Sequence, residues 1–171
     1  MTVCPTIPLA TRSGIELDVR PATADDEAAL GSFFERVSQD DRRFRFLAAA
    51  DHVGHQQLAP LVEADHFRSE SYIAFNRASG QIVASGLLAC DGPLENAEIA
   101  ISVCQNHRGK GVGWAMLDLL AQKAEQRGVR RAIAIESRDN HAAIEMERER
   151  GFVPEAFEGD PNLVTLVKTF R

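Results

Sequence analysis

The stretch Arg108-Gly109-Lys110-Gly111-Val112-Gly113 constrains this chain more than any other. An apolar run, Ile99 to Val103, precedes it, and a long amphipathic segment, Trp114 to Gln126, follows it. The run reads as a strand and the segment as a helix, so the stretch turns a strand into a helix. Three glycines at alternate positions let backbone N–H groups approach a ligand closely and point the same way. A helix start behind them adds a partial positive charge of about +0.5. Together these form a cradle for a phosphate or pyrophosphate. A tight turn at a helix start is the plainer reading of the same glycines.

Spacing excludes two phosphate loops. A Walker A loop places Ser or Thr after its Gly-Lys, to put a hydroxyl on magnesium, whereas Gly111 follows Lys110. A dinucleotide fingerprint runs G-x-G-x-x-G, whereas this stretch runs G-x-G-x-G behind an Arg. Arg-x-x-Gly-x-Gly between strand and helix resembles the signature of the GNAT superfamily, the acyl-CoA N-acyltransferases. The resemblance implies that Arg108, Gly109, Lys110, Gly111, Val112 and Gly113 hold the pyrophosphate of acetyl-CoA. It also implies that Ile101 and Val103, on the strand before, border that co-substrate.

The remaining composition narrows the partners. A length of 171 residues suffices for one domain with a sizeable core. The formal net charge of −6 argues against a nucleic-acid partner, which calls for a basic surplus. No apolar run approaches the roughly 20 residues that span a bilayer, so no membrane partner is expected. The first residues lack a basic flank before a sustained apolar core, so no signal peptide is expected. Cys4, Cys90 and Cys104 show no C-x-x-C spacing and read as free thiols in a reducing cytoplasm. His52, His55 and His66 have no companion Cys or second His pair, so no metal site is expected.

Along the chain, residues 1–13 read as a flexible leader and 14–171 as a single domain. Ile15 to Arg20 alternates as a strand, and Thr23 caps a helix with Asp25, Asp26 and Glu27 in its first turn. Helical regions follow at about Asp40 to Ala49 and Gln56 to Ala64. Strands are expected at Tyr72 to Phe75, Ile82 to Leu88 and Glu98 to Val103. After the glycine loop and its helix come a strand at Ala132 to Glu136 and a helix at Ala142 to Arg150. Strands at Phe152 to Phe157 and Leu163 to Phe170 close the domain. Three strands and then a β-α-β crossover predict an α/β (α+β) fold. Its sheet is mixed, largely antiparallel and twisted, with six to seven strands and helices on both faces. This order resembles the GNAT fold from Ile15 to Phe170.

A second segment carries the same resemblance. Asn140-x-x-Ala143-Ile144 through Gly151-Phe152 looks like the GNAT segment whose Asn meets the pantetheine arm of CoA. An amide suits that arm because it donates to a carbonyl and accepts from an N–H. Asn140 reads equally as a plain helix N-cap. Many GNAT enzymes place a Tyr seven residues later, as acid for the departing thiolate, and here Glu147 stands there. A carboxylate repels a forming thiolate unless it is protonated. Either Glu147 points to solvent or another group or water serves as the acid. Tyr72, the only Tyr, lies too early in the chain to replace it.

Acetyl transfer to an amine needs a base, because a lysine ammonium with pKa about 10.4 is unreactive at pH 7. Glu98 begins the strand leading into the loop and shares a face with Ala100 and Ser102. It is the candidate general base, acting directly or through water; a solvated edge carboxylate is the plainer reading. Backbone N–H groups near Val103 are the candidate oxyanion donors, freed by a bulge that GNAT strands commonly carry there. Bacterial Pat-type protein lysine acetyltransferases are similar in carrying a base at this strand position and lacking the Tyr. That likeness extends over Arg20-Pro21-Ala22-Thr23 and Ser38 through Phe46. Pat enzymes often attach this domain to a large acyl-CoA-synthetase-like region, which the 171 residues do not contain. Arg42, Arg43 and Arg45 with Phe44 and Phe46 read as a site border or, more plainly, as a half-buried helix.

The expected activity is therefore an acetyl-CoA-dependent N-acetyltransferase acting on a primary amine. The acceptor stays open between a protein lysine and a small amine. A non-catalytic acyl-CoA-binding sensor is the rival, motivated by the missing Tyr. Nothing sets the oligomeric state, and a homodimer stays open.

Overall fold

The computed structural model describes residues 6–46, 53–66 and 68–170, and the side chains of Arg43, Phe44 and Phe46 fall outside that description. Cys4, His52 and the expected end of the second helix at Ala49 also lie outside the described residues. Two strands open the fold, β1 (Ile7–Ala10) and β2 (Glu16–Pro21). Three helices follow: α1 (Glu27–Glu35), α2 (Gln39–Phe46) and α3 (His55–Val62). Next come β3 (Ser69–Asn76), β4 (Ile82–Cys90) and β5 (Asn96–Val103). The chain ends with α4 (Val112–Gln126), β6 (Arg131–Ser137), α5 (His141–Glu149), β7 (Val153–Ala156) and β8 (Leu163–Thr169).

All eight strands join one sheet, in the order β1-β2-β3-β4-β5-β6-β8-β7. Among its neighbouring pairs only β5 and β6 run parallel, because α4 carries the chain back across the sheet between them. The expected six to seven strands become eight, and the added strand comes from the stretch read as a leader. Ile7–Ala10 is too short and too rich in proline context to announce itself. Its backbone nevertheless pairs with β2 from Ile7↔Val19 to Ala10↔Glu16.

Burial explains why helices lie on both faces. Five consecutive residues are buried in β3, Glu70 to Ala74, and five in β4, Ile82 to Gly86. A strand buried at consecutive positions needs cover above and below it. Leu30, Phe33 and Phe34 of α1 are fully buried in the core, as their helical spacing demands. On the other helix, a Cβ placed on Gly86 would lie 2.9 Å from Leu120 Cδ1 and 3.0 Å from Met116 Cε. Only a glycine lets α4 settle this close to β4.

The start of α1 is fixed by one carboxylate. Asp26 accepts two bonds from Arg20, at 2.8 Å each, and one from the Thr23 N–H at 2.8 Å. Thr23 thus opens a short 3₁₀ turn, Ala24–Asp26, ahead of the helix rather than the helix itself.

Candidate active site

The strand that precedes the glycine loop and the strand that follows its helix separate. β5 and β6 pair only at Asn96↔Arg131, Ala97↔Ala132 and Glu98↔Ile133, although β5 runs on to Val103 and β6 to Ser137. Beyond Glu98 the two strands therefore leave a cleft. It opens into a cavity of about 700 Å³ lined by the glycine loop, by Glu98 to Val103, and by residues of β6 and α5. A volume of that size suits a small-molecule ligand.

The backbone of β5 presents donors to this cleft. Cys104 N–H donates to Val83 O at 3.0 Å, on the β4 side. Alternation then turns the N–H groups of Val103 and Ile101 toward the departed β6. The expected bulge near Val103 is absent: β4 and β5 keep one register from Ala84↔Val103 to Cys90↔Ala97. The irregularity in this part of the sheet lies between Ala74 and Phe75 of β3. Strand divergence, and not a bulge, frees the N–H groups.

The loop itself forms from two different demands on glycine. Gly109 and Gly111 take φ of +74° and +85°, in the left-handed region that costs other residues about 1–2 kcal/mol. Gly113 is helical, and a Cβ there would press to 3.3 Å from Met146 Sδ of α5. The helix begins at Val112, two residues before the expected Trp114, so the loop feeds directly into its first turn. Its unpaired N–H groups join the charges of Arg108 and Lys110 at the cavity wall. Arg108 also pairs with Asp41 of α2 at 3.3 Å.

Sequence reasoning missed what braces this loop. The turn between β1 and β2 lies against it: Ser13 Oγ donates to Lys110 O at 2.7 Å. A Cβ on Gly111 would meet Thr11 Cβ at 3.4 Å. Arg12 of the same turn lines the cavity, and its guanidinium sits 4.3 Å from the Trp114 ring centre. Arg150 approaches that ring equally, at 4.3 Å. Trp114 is thus held between two cations. No local signal in Thr11-Arg12-Ser13 announces this long-range contact.

Deeper in the cleft, carboxyl groups gather. Glu98, Glu136 and Glu147 all line the cavity, with Asp41 and Arg45 of α2 across from them. Asn140 occupies the N-cap position of α5, yet its side chain makes no capping bond. Its Nδ2 donates instead to Glu136 Oε2 at 3.3 Å. Burial raises the pKa of Glu136, while bonds from Glu147 and Asn140 and the charge of Arg45 oppose the shift. Glu147 is only 4% exposed, so it does not point to solvent. Burial, its hydrogen bond to Glu136 and the negative charge of Glu136 push it up to about 10. Glu136 was not singled out from sequence. The signal was present, as a carboxylate ending the otherwise apolar strand Ala132 to Glu136.

Other titratable groups near the site are held by contacts of their own or lie away from the cavity. His107 borders the loop but is held beneath it, by Asn76 Nδ2 at 3.3 Å and Cys104 Sγ at 3.2 Å. Burial lowers its pKa, helped by Lys110 and Arg36. Cys104 is buried and its thiol pushed up by that burial. Tyr72 is buried in β3 and does not line the cavity. Among the described residues no group of three His, Cys, Asp or Glu could hold a metal, and no helix is long and apolar enough to cross a membrane.

Known proteins share this fold. Residues 29–152 match the family model described as "Acetyltransferase (GNAT) family". The acetyltransferase PA5475 of Pseudomonas aeruginosa is 24% identical over 137 residues, spanning 79% of this chain and 74% of that protein. The GNAT domain of S. lividans PAT superposes with a TM-score of 0.88 at 25% identity, covering 96% of this chain and 97% of that one. The fold recurs in the spermidine N-acetyltransferase from Vibrio cholerae, solved with CoA and spermine. Its TM-score is 0.71 at 13% identity, over 90% of this chain and 95% of that one. The strand divergence, the glycine loop at its mouth and these matches together place the chain in the acetyltransferase (GNAT) family, whose members are acetyl-CoA-dependent N-acetyltransferases.

Proposed function

We propose that the protein moves the acetyl group of acetyl-CoA directly onto a primary amine, with Glu98 as general base and a protein lysine as the acceptor class. The observation that carries this reading is the cavity that brings Glu98 together with the glycine loop, the β5 edge and Asn140. Arg108, Lys110 and the N–H groups of Gly109, Gly111, Val112 and Gly113 would hold the pyrophosphate. Asn140 spends its Nδ2 on Glu136, which leaves its carbonyl oxygen to accept from a pantetheine N–H. The N–H groups of Val103 and Ile101 would meet the thioester oxygen as charge develops on it. Glu98 lies on the face of β5 toward Arg45, with the cavity open before it, and would take the amine proton directly or through water. The resemblance of this sequence to Pat-type protein lysine acetyltransferases supports lysine as the acceptor class, and the likeness to the S. lividans PAT domain agrees with that resemblance.

Calorimetry with acetyl-CoA tests the donor half, and an array of lysine peptides, polyamines and amino acids tests the acceptor half. Micromolar binding and acetylation of lysine peptides are the expected results. No binding at millimolar acetyl-CoA sinks the reading. Acetylation confined to small amines moves the acceptor class. Acetyl-CoA binding with no acceptor at all favours a sensor.

A further inference from the structure

Acetyl transfer leaves one need without a candidate, the proton for the departing thiolate. Glu147 stands where related enzymes hold Tyr, on the α5 wall of the cavity. It hydrogen-bonds to Glu136, and two carboxyl groups bond to each other only when one carries a proton. Asn140 donates to Glu136 at 3.3 Å, and Arg45 faces Glu136 with its positive charge. Both oppose the burial that raises Glu136, whereas nothing opposes burial at Glu147, so the shared proton rests on Glu147. Its second oxygen, Oε2, is buried with no hydrogen-bond partner among the described residues. The side chain is thus a buried proton donor at the cleft wall with one oxygen left over.

We propose that Glu147, kept protonated by Glu136, is the general acid that protonates the CoA thiolate as it leaves. The assignment rests on the acetyl-transfer reading above. In the step, the amine nitrogen bonds to the thioester carbon and its surplus proton passes to Glu98. The C–S bond then breaks, its electron pair goes to sulfur, and the Glu147 proton follows, giving free CoA thiol. The proton on Glu98 restores Glu147 through water, so the site ends as it began. Glu136 on β6 faces this proton directly, and Glu98 on β5 with Asp41 and Arg45 on α2 line the same cavity. Burial first, then the hydrogen bond to Glu136 and the negative charge of Glu136, push the Glu147 carboxyl up to about 10. Burial beside Glu136 therefore keeps this carboxyl protonated at neutral pH and able to donate.

Infrared difference spectra between wild type and Glu147→Gln read the proton without any acceptor. A protonated-carboxyl band at pH 7 that vanishes in the variant supports the proposal, and its absence from wild type overturns it. Turnover reads the role. Glu147→Gln is expected to lower kcat by about 100-fold or more with acetyl-CoA, with the calorimetric affinity for acetyl-CoA unchanged. With acetyl-seleno-CoA, whose selenolate leaves without protonation, the loss is expected to shrink to a few-fold. An equal loss with both donors, or kcat within about twofold of wild type, overturns the assignment. Wild type that binds no acetyl-CoA or acetylates no amine removes the underlying reading instead, a result visible before any variant is made.

Discussion

At the scale of single residues, neighbours set how readily each buried carboxyl group gives up its proton. Glu98→Gln is expected to lower kcat by about 100-fold or more while calorimetry finds acetyl-CoA binding unchanged. Turnover equal to wild type would remove Glu98 from the base role. Asp26 behaves oppositely to Glu147. Its bonds from Arg20 hold it below the usual carboxylate range, aided by Thr23 and opposed by burial. It therefore stabilises the fold above its unfolded pKa, and that contribution disappears as pH falls through the lowered value. Asp26→Ala should cost about 1–3 kcal/mol at pH 7 by urea unfolding, and less near pH 3. Glu147 is raised from an ordinary 4.5 to about 10, so the folded chain holds a proton that the unfolded chain releases. Unfolding free energy should fall as pH climbs through that window, and Glu147→Gln should flatten the slope in urea titrations followed across pH. The residue types and spacings that flag Asn140 and position 147 were legible in the sequence. Their bonds were not, because Glu136 reaches Asn140 and Glu147 only once β6 and α5 are packed side by side.

At the scale of elements, the glycine loop was readable because its physics is local. A strand, positive-φ glycines and a helix start all leave marks within about 15 residues of one another. Gly111→Ala tests that local demand. It should cost about 1–2 kcal/mol in thermal or urea unfolding and weaken acetyl-CoA binding, since the Thr11 turn leaves no room for the loop to shift. Unchanged binding would show that the loop conformation is not what holds the donor. The brace on the loop was unreadable for the opposite reason. Thr11-Arg12-Ser13 meets Lys110 across 97 positions of sequence, and a four-residue β1 has too few side chains to show alternation. The expectation of a bulge at Val103 failed similarly. Free N–H groups arise there because β6 turns away after Glu98, a relation between two strands that neither segment encodes alone.

At the scale of the whole molecule, one continuous sheet and one buried cluster tie the N-terminal hairpin, the three early helices and the crossover together. Trp114 fluorescence and far-ultraviolet circular dichroism should accordingly report one coincident urea transition. Two separated transitions would show the hairpin and helices to be an independent unit. Acetyl-CoA at 100 times its dissociation constant should stabilise this fold by about 2.7 kcal/mol, read from the shifted midpoint. The sequence by itself determined the order of the elements from β2 onward, the glycine loop and the family, because period, turn residues and motif spacing are written over short distances. The tertiary structure alone decided that the turn after the first strand braces the loop, that β5 and β6 part to make the cleft, and that Glu136 and Glu147 meet there. Those features depend on burial and on contacts between distant segments, and a carboxyl's acidity is set by what folding removes from around it.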